Sequence, residues 1–272
     1  MGNAEHPRKI VLTIAGFDPS SGAGITADLK TIATHGQYGT ACITAITVQT
    51  TQSVLKLERL KADLLRDMLE ALVEDTPPSA VKIGMLANRE LTLAIADFLR
   101  RFRPRNVVLD PVLQSSSGMA LLDAAGLEAL RGELLGLVDV VTPNLAEAEK
   151  LCGISVRDLE DMKSAASKLV QLGAKNVVIT GGHLKEPSDV LLLGGDSECR
   201  VFKGEKIFTP NTHGTGCAFS TALACRLAEG VELADAVFAA KQYVTNALRH
   251  SYSLGKGTGP VNHLFRMHSW KA

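Results

Sequence analysis

Residues 10–31, IVLTIAGFDPSSGAGITADLKT, predict a strand, a turn and a helix in direct succession. The apolar, β-rich run from Lys9 to Ala15 is typical of a buried strand. The segment GFDPSSGAG supplies the glycine, proline, serine and aspartate that turns favour. The segment ITADLKTIATHG then places its apolar residues at helical spacing. This order is the βα unit from which helix-covered sheets are built.

The same order repeats along the chain. Further strands are predicted at 40–48, AVKIGML, NVVLDPV, DVVTPN and NVVIT, and further helices at 63–74, 89–102, 124–135, 145–151, 159–172, 216–229 and 233–249. A short antiparallel excursion is predicted over 190–208. Val-rich strands that alternate with helices predict an α/β fold with a mostly parallel central sheet covered on both faces. With no long linker or repeat, we expect one domain over 1–272 and an ordered core at about 9–265.

The composition argues against several classes of protein. The 29 Lys and Arg residues balance 29 Asp and Glu residues, so no net field would recruit nucleic acid or an anionic membrane. The 5 cysteines are scattered without a C-x-x-C pair, which predicts neither disulfides nor zinc. Neither a signal-peptide pattern nor a membrane-spanning apolar run occurs. We therefore expect a cytoplasmic protein that acts on a small molecule.

The segment NTHGTGCAFSTAL, from Asn211, gives the strongest chemical signal, because a glycine-rich turn leads directly into a helix. The backbone amides expected to face an anion are those of Gly214, Thr215, Gly216 and Cys217. The same groups would stabilise a Cys217 thiolate that accepts a proton from a substrate hydroxyl. An ordinary helix start with a small buried cysteine is the alternative interpretation.

Several polar residues follow predicted strands, where ligands bind in open α/β sheets. Asn144 and Glu147 share one helix face and could both reach a hydrated Mg²⁺ on nucleotide phosphates. The same pattern, TPNLAE, is also typical of an ordinary helix cap. Asp110 adds a carboxylate at a strand end. Because no P-loop, protein-kinase or G-x-S-x-G motif occurs, those mechanisms are disfavoured.

Taken in order, these motifs resemble the hydroxymethylpyrimidine/phosphomethylpyrimidine kinase family of the ribokinase-like superfamily. The resemblance rests on IAGFDPSSGAGITADLKT, ITAITVQTT, VKIGMLA, VVLDPV, TPNLAEAE, GGHL, NTHGTGCAFSTALA and GKGTGPV. It implies a three-layer fold and two transfers from ATP, with Mg²⁺, to 4-amino-5-hydroxymethyl-2-methylpyrimidine. The products are the monophosphate and then the diphosphate, for thiamin biosynthesis. A homodimer is also implied.

The resemblance further implies roles for individual residues. Gln49 would hydrogen-bond the aminopyrimidine, and Cys217 would face its hydroxymethyl oxygen. The substrate pocket would be lined by Gly16, Ala23, Asp28, Met85 and Val112. Mg²⁺ and the phosphates would be organised by Asp110, Asn144 and Glu147, and the nucleotide would lie near Thr180, Lys241 and Lys256.

Two positions depart from the family pattern. Thr180 stands where many members carry lysine, which puts one phosphate-contacting ammonium in doubt. Thr47 stands where an apolar residue is also common, which affects the expected packing around the pyrimidine. Neither departure changes the implied reaction class.

Two other functions remain open on the sequence. A pyridoxal or pyridoxine kinase has the same fold and a similar hydroxymethyl substrate, but it would stop after one transfer. A non-catalytic pyrimidine sensor derived from the kinase is the second alternative. The retained Cys217, Asn144 and Glu147, and the lack of a DNA-binding domain, argue against a sensor.

Overall fold

The computed structural model describes residues 8–267, with strands and helices numbered along the chain. The strands are β1 Ile10–Phe17, β2 Tyr38–Gln49, β3 Val54–Arg59, β4 Ala80–Ile83, β5 Val107–Leu109, β6 Val140–Val141, β7 Val177–Gly181, β8 Ser188–Leu192 and β9 Arg200–Lys203. The helices are α1 Gly24–Thr34, α2 Ala62–Asp75, α3 Arg89–Phe102, α4 Ala124–Ala129, α5 Leu145–Cys152, α6 Leu159–Gln171, α7 Thr215–Ala228 and α8 Leu233–Arg249. A π-turn, Leu130–Leu134, continues α4, and a 3-10 turn spans Phe265–Met267.

The nine strands form one sheet in the order β3-β2-β1-β4-β5-β6-β7-β8-β9. The six from β2 to β7 in this order run parallel. The two edges are antiparallel, with β3 beside β2 and β8 followed by β9. The predicted mostly parallel sheet is confirmed. Among residues 8–267, no helix is long and apolar enough to cross a membrane.

Alternate residues of the central strands belong to two separate hydrophobic cores. In β5, for example, Val107 and Leu109 pack into one core and Val108 into the other. The first core receives side chains from α2 to α6 and the second from α1, α7 and α8. Because strand side chains point alternately to opposite faces, the sheet is covered on both sides. The three layers expected from the resemblance are present.

The helix bounds follow local signals in the sequence. Asn88 caps α3, because its side chain accepts a hydrogen bond from the amide of Leu91. The predicted bounds of α3 and α8 match the structure. Strand β3, with the sequence VLKLER, was not predicted. Most of its residues are exposed, and charged residues interrupt the alternation of apolar and polar residues. The sequence therefore gives little signal for an edge strand.

Candidate functional site

The loop after β1 and the turn before α7 pack against each other at the carboxyl end of the sheet. Gly214 has φ +85°, and a Cβ there would overlap the carbonyl of Gly22. A Cβ on Gly22 would in turn meet the ring of His213. His263 closes the same contact, because its Nε2 lies 3.0 Å from the Gly22 carbonyl oxygen. Glycine is therefore required for this approach of two backbones.

The first turn of α7 has open backbone amides. Its N-cap is Gly214, and no described side chain caps the helix. The amide of Thr215 reaches the carbonyl of Thr212 at 3.4 Å. Among residues 8–267, no acceptor lies within hydrogen-bond reach of the amides of Gly216 and Cys217. These two amides, here called the anion hole, lie at the positive end of the helix dipole.

The surroundings of Cys217 oppose the thiolate that the sequence leads us to expect. Burial raises the pKa of the thiol to about 12, and the carboxylates of Asp28 and Asp110 raise it further. The ammonium of Lys82 and a hydrogen bond from the Gly24 amide oppose this increase in pKa. The helix dipole does not overcome the loss of water and the two nearby negative charges.

Asp28 lies beneath the site and does not line a pocket, contrary to the expectation from the resemblance. Its side chain has no exposed surface. The carboxylate accepts hydrogen bonds from Thr13 at 2.6 Å and Thr221 at 2.7 Å. It also forms an ion pair with Lys82 at 2.9 Å. A buried charge must be paired in this way, so Asp28 links α1 to β1, to β4 and to the middle of α7.

Asn144 and Glu147 form the capping box of α5, as in the alternative interpretation of this pattern. The Asn144 side chain accepts from the Glu147 amide at 3.0 Å, and the Glu147 carboxylate accepts from the Asn144 amide at 2.9 Å. The amide oxygen of Asn144 uses one of its two lone pairs in this cap. The carboxylate of Glu147 has capacity left, because carboxylates accept several hydrogen bonds.

Asp110 and Glu147 are buried carboxylates that repel each other. Burial and the charge of Asp110 raise the pKa of Glu147 to about 8, although the amides of Asn144 and Leu113 lower it. Burial also raises the pKa of Asp110, against the opposing effect of Lys82. Ser220 donates to Asp110 at 2.9 Å. A cation bound between these two carboxyl groups would offset their repulsion and stabilise both in the ionised form.

The carboxylate of Asp110 lies beside the anion hole, because a Cβ on Gly216 would be 3.8 Å from its Oδ2. No cluster of three or more His, Cys, Asp or Glu side chains in residues 8–267 could hold a metal ion alone. Mg²⁺ commonly takes only one or two carboxylates and fills its other positions with phosphates and water. Asp110 and Glu147 fit that kind of site.

Gln49 borders a pocket at the end of β2. The other residues that line it are Thr50, Thr51, Gln52, Ser53, Ser116, Ser117, His213 and Thr258. The Gln49 side chain contacts Thr47 at 3.1 Å and His213 at 3.3 Å. His213 Nε2 lies 2.9 Å from Asp18 Oδ2. Gln49, which is predicted to contact the pyrimidine, therefore lies between two polar side chains.

The other predicted pocket residues lie at the ends of β1, β4 and β5 or in the loops that follow these strands. A Cβ on Gly16 would overlap the methyl group of Met85, so these two residues are in contact. Ala23 is half-buried and donates its amide to Asp18 at 3.0 Å. Val112 is half-buried just beyond β5. Their roles toward a substrate remain predictions.

Thr180 and Lys241 lie on the β7 side of the same sheet edge. The Thr180 amide donates to the carbonyl of Pro143 at 2.9 Å, next to the α5 cap. Lys241 is buried in an ion pair with Asp189 at 2.8 Å. Asp189 also accepts from the Gly181 amide at 3.1 Å. Lys241 therefore holds the turn after β7 and does not present a free ammonium.

Lys256 lies on the opposite side from Thr180, because its amide is 3.2 Å from the hydroxyl of Thr51 beside Gln49. Its side chain is exposed. Three further polar residues at the site have no predicted role: Asp18, Lys82 and His213. A lysine inside the apolar strand AVKIGML is a detectable signal for a buried ion pair. His213 lies inside the quoted NTHGTGC motif, but its partners are distant in sequence.

The sequence profile described as phosphomethylpyrimidine kinase matches residues 18–262. The hydroxymethylpyrimidine/phosphomethylpyrimidine kinase of Aquifex aeolicus is 43% identical over 248 residues, which are 91% of this chain and 97% of that protein. The bifunctional thiamine biosynthesis protein of Geobacter sulfurreducens is 43% identical over 261 residues, which are 96% of this chain. The chain spans only 53% of that longer relative.

Solved structures agree with these relatives. The phosphomethylpyrimidine kinase of Clostridium difficile has a TM-score of 0.79 and 41% identity, covering 89% of this chain and 100% of that one. The pyridoxal kinase of Staphylococcus aureus, in complex with AMP-PCP and pyridoxal, has a TM-score of 0.86 and 32% identity, covering 94% of this chain and 94% of that one. The expected ribokinase-like fold is confirmed by these neighbours.

Proposed function

Because the chain belongs to the phosphomethylpyrimidine kinase family, we propose that it transfers the γ-phosphoryl group of ATP to 4-amino-5-hydroxymethyl-2-methylpyrimidine. A second transfer converts the monophosphate to the diphosphate, for thiamin biosynthesis. The observation that carries this proposal is the anion hole of α7, with open amides at Gly216 and Cys217 beside the Gln49 pocket. An anion hole and a hydrogen-bonding pocket on one sheet edge can bring a phosphoryl group to a small acceptor.

ATP as the phosphoryl donor is supported by the AMP-PCP complex of the pyridoxal kinase from Staphylococcus aureus. Asp110 and Glu147 would hold Mg²⁺, which neutralises phosphate charge when bound. Without a cation, these two carboxylates would repel the phosphates that the anion hole attracts. The protein's own contribution is therefore position and charge balance, which is the main requirement of phosphoryl transfer.

In the first transfer, the hydroxymethyl oxygen attacks the γ-phosphorus, and the bond from that phosphorus to the β-bridging oxygen breaks. The amides of Gly216 and Cys217 hydrogen-bond the oxygens of the moving phosphoryl group. The hydroxyl proton leaves to Cys217 when that thiol is ionised. In the second transfer the nucleophile is a phosphate oxygen, and a neutral Cys217 thiol does not repel it.

The second candidate is a pyridoxal kinase, which is favoured by the fold match to the Staphylococcus aureus enzyme at a TM-score of 0.86. One assay separates the two. The chain is incubated with ATP, Mg²⁺ and either the hydroxymethylpyrimidine or pyridoxal, and each product is resolved by chromatography. We expect mono- and diphosphate from the pyrimidine. Pyridoxal phosphate as the sole product would contradict the proposed function.

The homodimer also belongs to this proposal. Apolar side chains of β2 and β3 are exposed at one end of the sheet, with Ile46 46%, Val48 53% and Leu55 66% exposed. A second copy of the chain would cover them. Analytical ultracentrifugation of the chain and of Leu55→Lys tests this, because the substitution should shift the sedimenting species from dimer to monomer. A monomer at all concentrations would contradict it.

A further inference from the structure

Four side chains form a hydrogen-bonded chain along one wall of the Gln49 pocket. Asp18 Oδ2 lies 2.9 Å from His213 Nε2, and that nitrogen lies 3.3 Å from the Gln49 amide. The other end of the Gln49 amide lies 3.1 Å from the hydroxyl of Thr47. The Thr47 hydroxyl donates to the carbonyl of Phe17 at 3.1 Å. The protons in this chain can be assigned from its two ends.

Asp18 is ionised, because every other contact of its carboxylate is a donor. Ser20 donates its amide at 2.8 Å and its hydroxyl at 2.7 Å, and the Ala23 amide donates at 3.0 Å. Burial tends to raise the pKa of Asp18, but hydrogen bonds from His213 and Ser20 lower it overall. An ionised carboxylate only accepts hydrogen bonds.

His213 must therefore carry a proton on Nε2. An unprotonated Nε2 would place a lone pair 2.9 Å from a carboxylate oxygen. The second ring nitrogen, Nδ1, lies 3.4 Å from the hydroxyl of Ser116, which can donate to it. The ring is thus satisfied on both sides as the Nε2–H tautomer. The single Nε2 proton is shared between Asp18 and the Gln49 amide as a three-centre hydrogen bond, and Nε2 has no lone pair that could accept from Gln49.

The amide of Gln49 must then present its oxygen to His213. The amide nitrogen of Gln49 faces His213 Nε2 in the structure, so two donors meet at 3.3 Å. The two ends of a glutamine amide have nearly the same shape, and half a turn about the last bond exchanges them. After that turn, the NH₂ group faces Thr47. The Thr47 oxygen can accept from it, because the Thr47 proton is given to Phe17.

We propose that Asp18 and His213 are positioning residues that fix the order of donor and acceptor on the Gln49 amide, and that this order selects aminopyrimidine over oxopyrimidine rings. The oxygen lies on the His213 side and the NH₂ on the Thr47 side. The oxygen keeps one lone pair for a ligand, and the NH₂ group keeps one proton. This inference rests on the proposed function of the pocket.

The chemistry of the two rings explains the selection. The edge of a 4-aminopyrimidine has an amino donor next to a ring-nitrogen acceptor, which pairs with the oxygen and the NH₂ of Gln49. The 4-oxo analogue has an acceptor next to a donor. Its carbonyl oxygen would therefore face the Gln49 oxygen, and its ring N–H would face the Gln49 NH₂ group. A site built for one hydrogen-bond pattern rejects a ligand that leaves its groups unpaired.

The first test measures dissociation constants by calorimetry for 4-amino-5-hydroxymethyl-2-methylpyrimidine and for its 4-oxo analogue. Binding is used so that the result does not depend on turnover. His213→Phe keeps an aromatic ring but removes the donor, so the preference for the amino compound should fall about tenfold or more. His250→Phe is the matched control, because that exposed histidine contacts the Asn246 carbonyl at the end of α8 and does not line the pocket, so the preference should stay unchanged. An unchanged preference in His213→Phe would overturn the proposal.

The second test needs no ligand. Nitrogen-15 NMR of the histidine rings should show His213 as the Nε2–H tautomer, and Asp18→Asn should shift it toward Nδ1–H. A wild-type Nδ1–H tautomer would overturn the proposal even if every variant misfolds. Failure of the proposed function has a different signature: the tautomer and the amino preference hold, but ATP phosphorylates neither pyrimidine.

Discussion

At the scale of single residues, Gln49 is the side chain whose loss should separate pyrimidine use from nucleotide use. Gln49→Leu removes both a donor and an acceptor from the half-buried pocket wall. We expect kcat/KM for the pyrimidine to fall by an amount equivalent to about 1–3 kcal/mol, with ATP binding unchanged. Steady-state kinetics and nucleotide titration measure the two effects. An unchanged efficiency would remove Gln49 from the site.

Cys217 is predicted to matter more for the first transfer than for the second. An alcohol needs to lose its proton, and such assistance is typically worth about 100- to 10,000-fold, whereas a phosphate is already anionic. Cys217→Ala should therefore slow alcohol phosphorylation more than monophosphate phosphorylation. Cys217→Asp should keep part of the first activity and impair the second, because a carboxylate repels the incoming phosphate. Equal losses in both steps for both variants would show that Cys217 only shapes the turn.

The pH dependence of the two steps gives an independent prediction about the same thiol. With the pKa of Cys217 raised to about 12, the thiolate is scarce at neutral pH and its fraction rises tenfold with each unit of pH below that value. The rate of the first transfer should rise with pH across the neutral range, and that of the second should not. Single-turnover rates with each substrate measure this. A flat profile for the first step would exclude a thiolate base.

The positions of several site residues could be predicted from the sequence, but their charge states could not. Gln49, Asp110 and Cys217 lie just after strands or at a helix start, so their positions follow from the βα pattern. The raised pKa of Cys217 does not follow from that pattern, because it depends on burial and on charges such as Asp28 and Lys82 from other elements. Pairwise charge effects among residues distant in sequence require the fold.

At the scale of elements, α5 combines a structural cap with a carboxylate that is costly to ionise. The pKa of Glu147 is raised from 4.5 to about 8, so its contribution to stability is full below pH 4.5 and is lost as pH rises toward 8. Glu147→Gln should therefore flatten the fall in melting temperature of the ligand-free protein between pH 5 and 8. Thermal melts at several pH values measure this.

The same substitution should raise the Mg²⁺ concentration needed for half-maximal activity and slow both transfers, because it removes one negative charge from the proposed cation site. Titration of Mg²⁺ at saturating ATP tests the metal role separately from the cap. Asp158→Ala is a matched control, since Asp158 caps α6 by accepting from the Asp161 amide. That variant should lose stability without a change in Mg²⁺ dependence. If both variants lose stability and neither changes its Mg²⁺ dependence, Glu147 is only a helix cap.

Element bounds were predicted best where the sequence has its own stop signals. Helix α3 begins after its Asn88 cap and ends at Phe102, before Arg103 in the left-handed region, and its bounds match the prediction. The predicted helix over 124–135 instead becomes α4 and a π-turn. Periodicity detects that helical segment but not the change in hydrogen-bond pattern inside it.

At the scale of the whole molecule, the ion pair between Lys82 and Asp28 joins the centre of the sheet to α1 and α7. Both side chains have 0% exposure. Lys82→Met should destabilise the protein by about 3–5 kcal/mol, because an unpaired carboxylate remains buried. The double variant Lys82→Met with Asp28→Leu should recover much of that loss. Urea denaturation of the wild type, Lys82→Met, Asp28→Leu and the double variant measures this, and additive losses would contradict the coupling.

The contact between the turn at Gly214 and the loop at Gly22 unites segments about two hundred residues apart in the chain. During synthesis on a ribosome, the strands from β1 to β7 emerge before α7 does. A nascent chain can therefore assemble its parallel strands while its anion hole has not yet been translated. The proposed phosphate site is complete only when the late turn docks onto the early loop, so the chain would gain catalytic competence at the end of cotranslational folding.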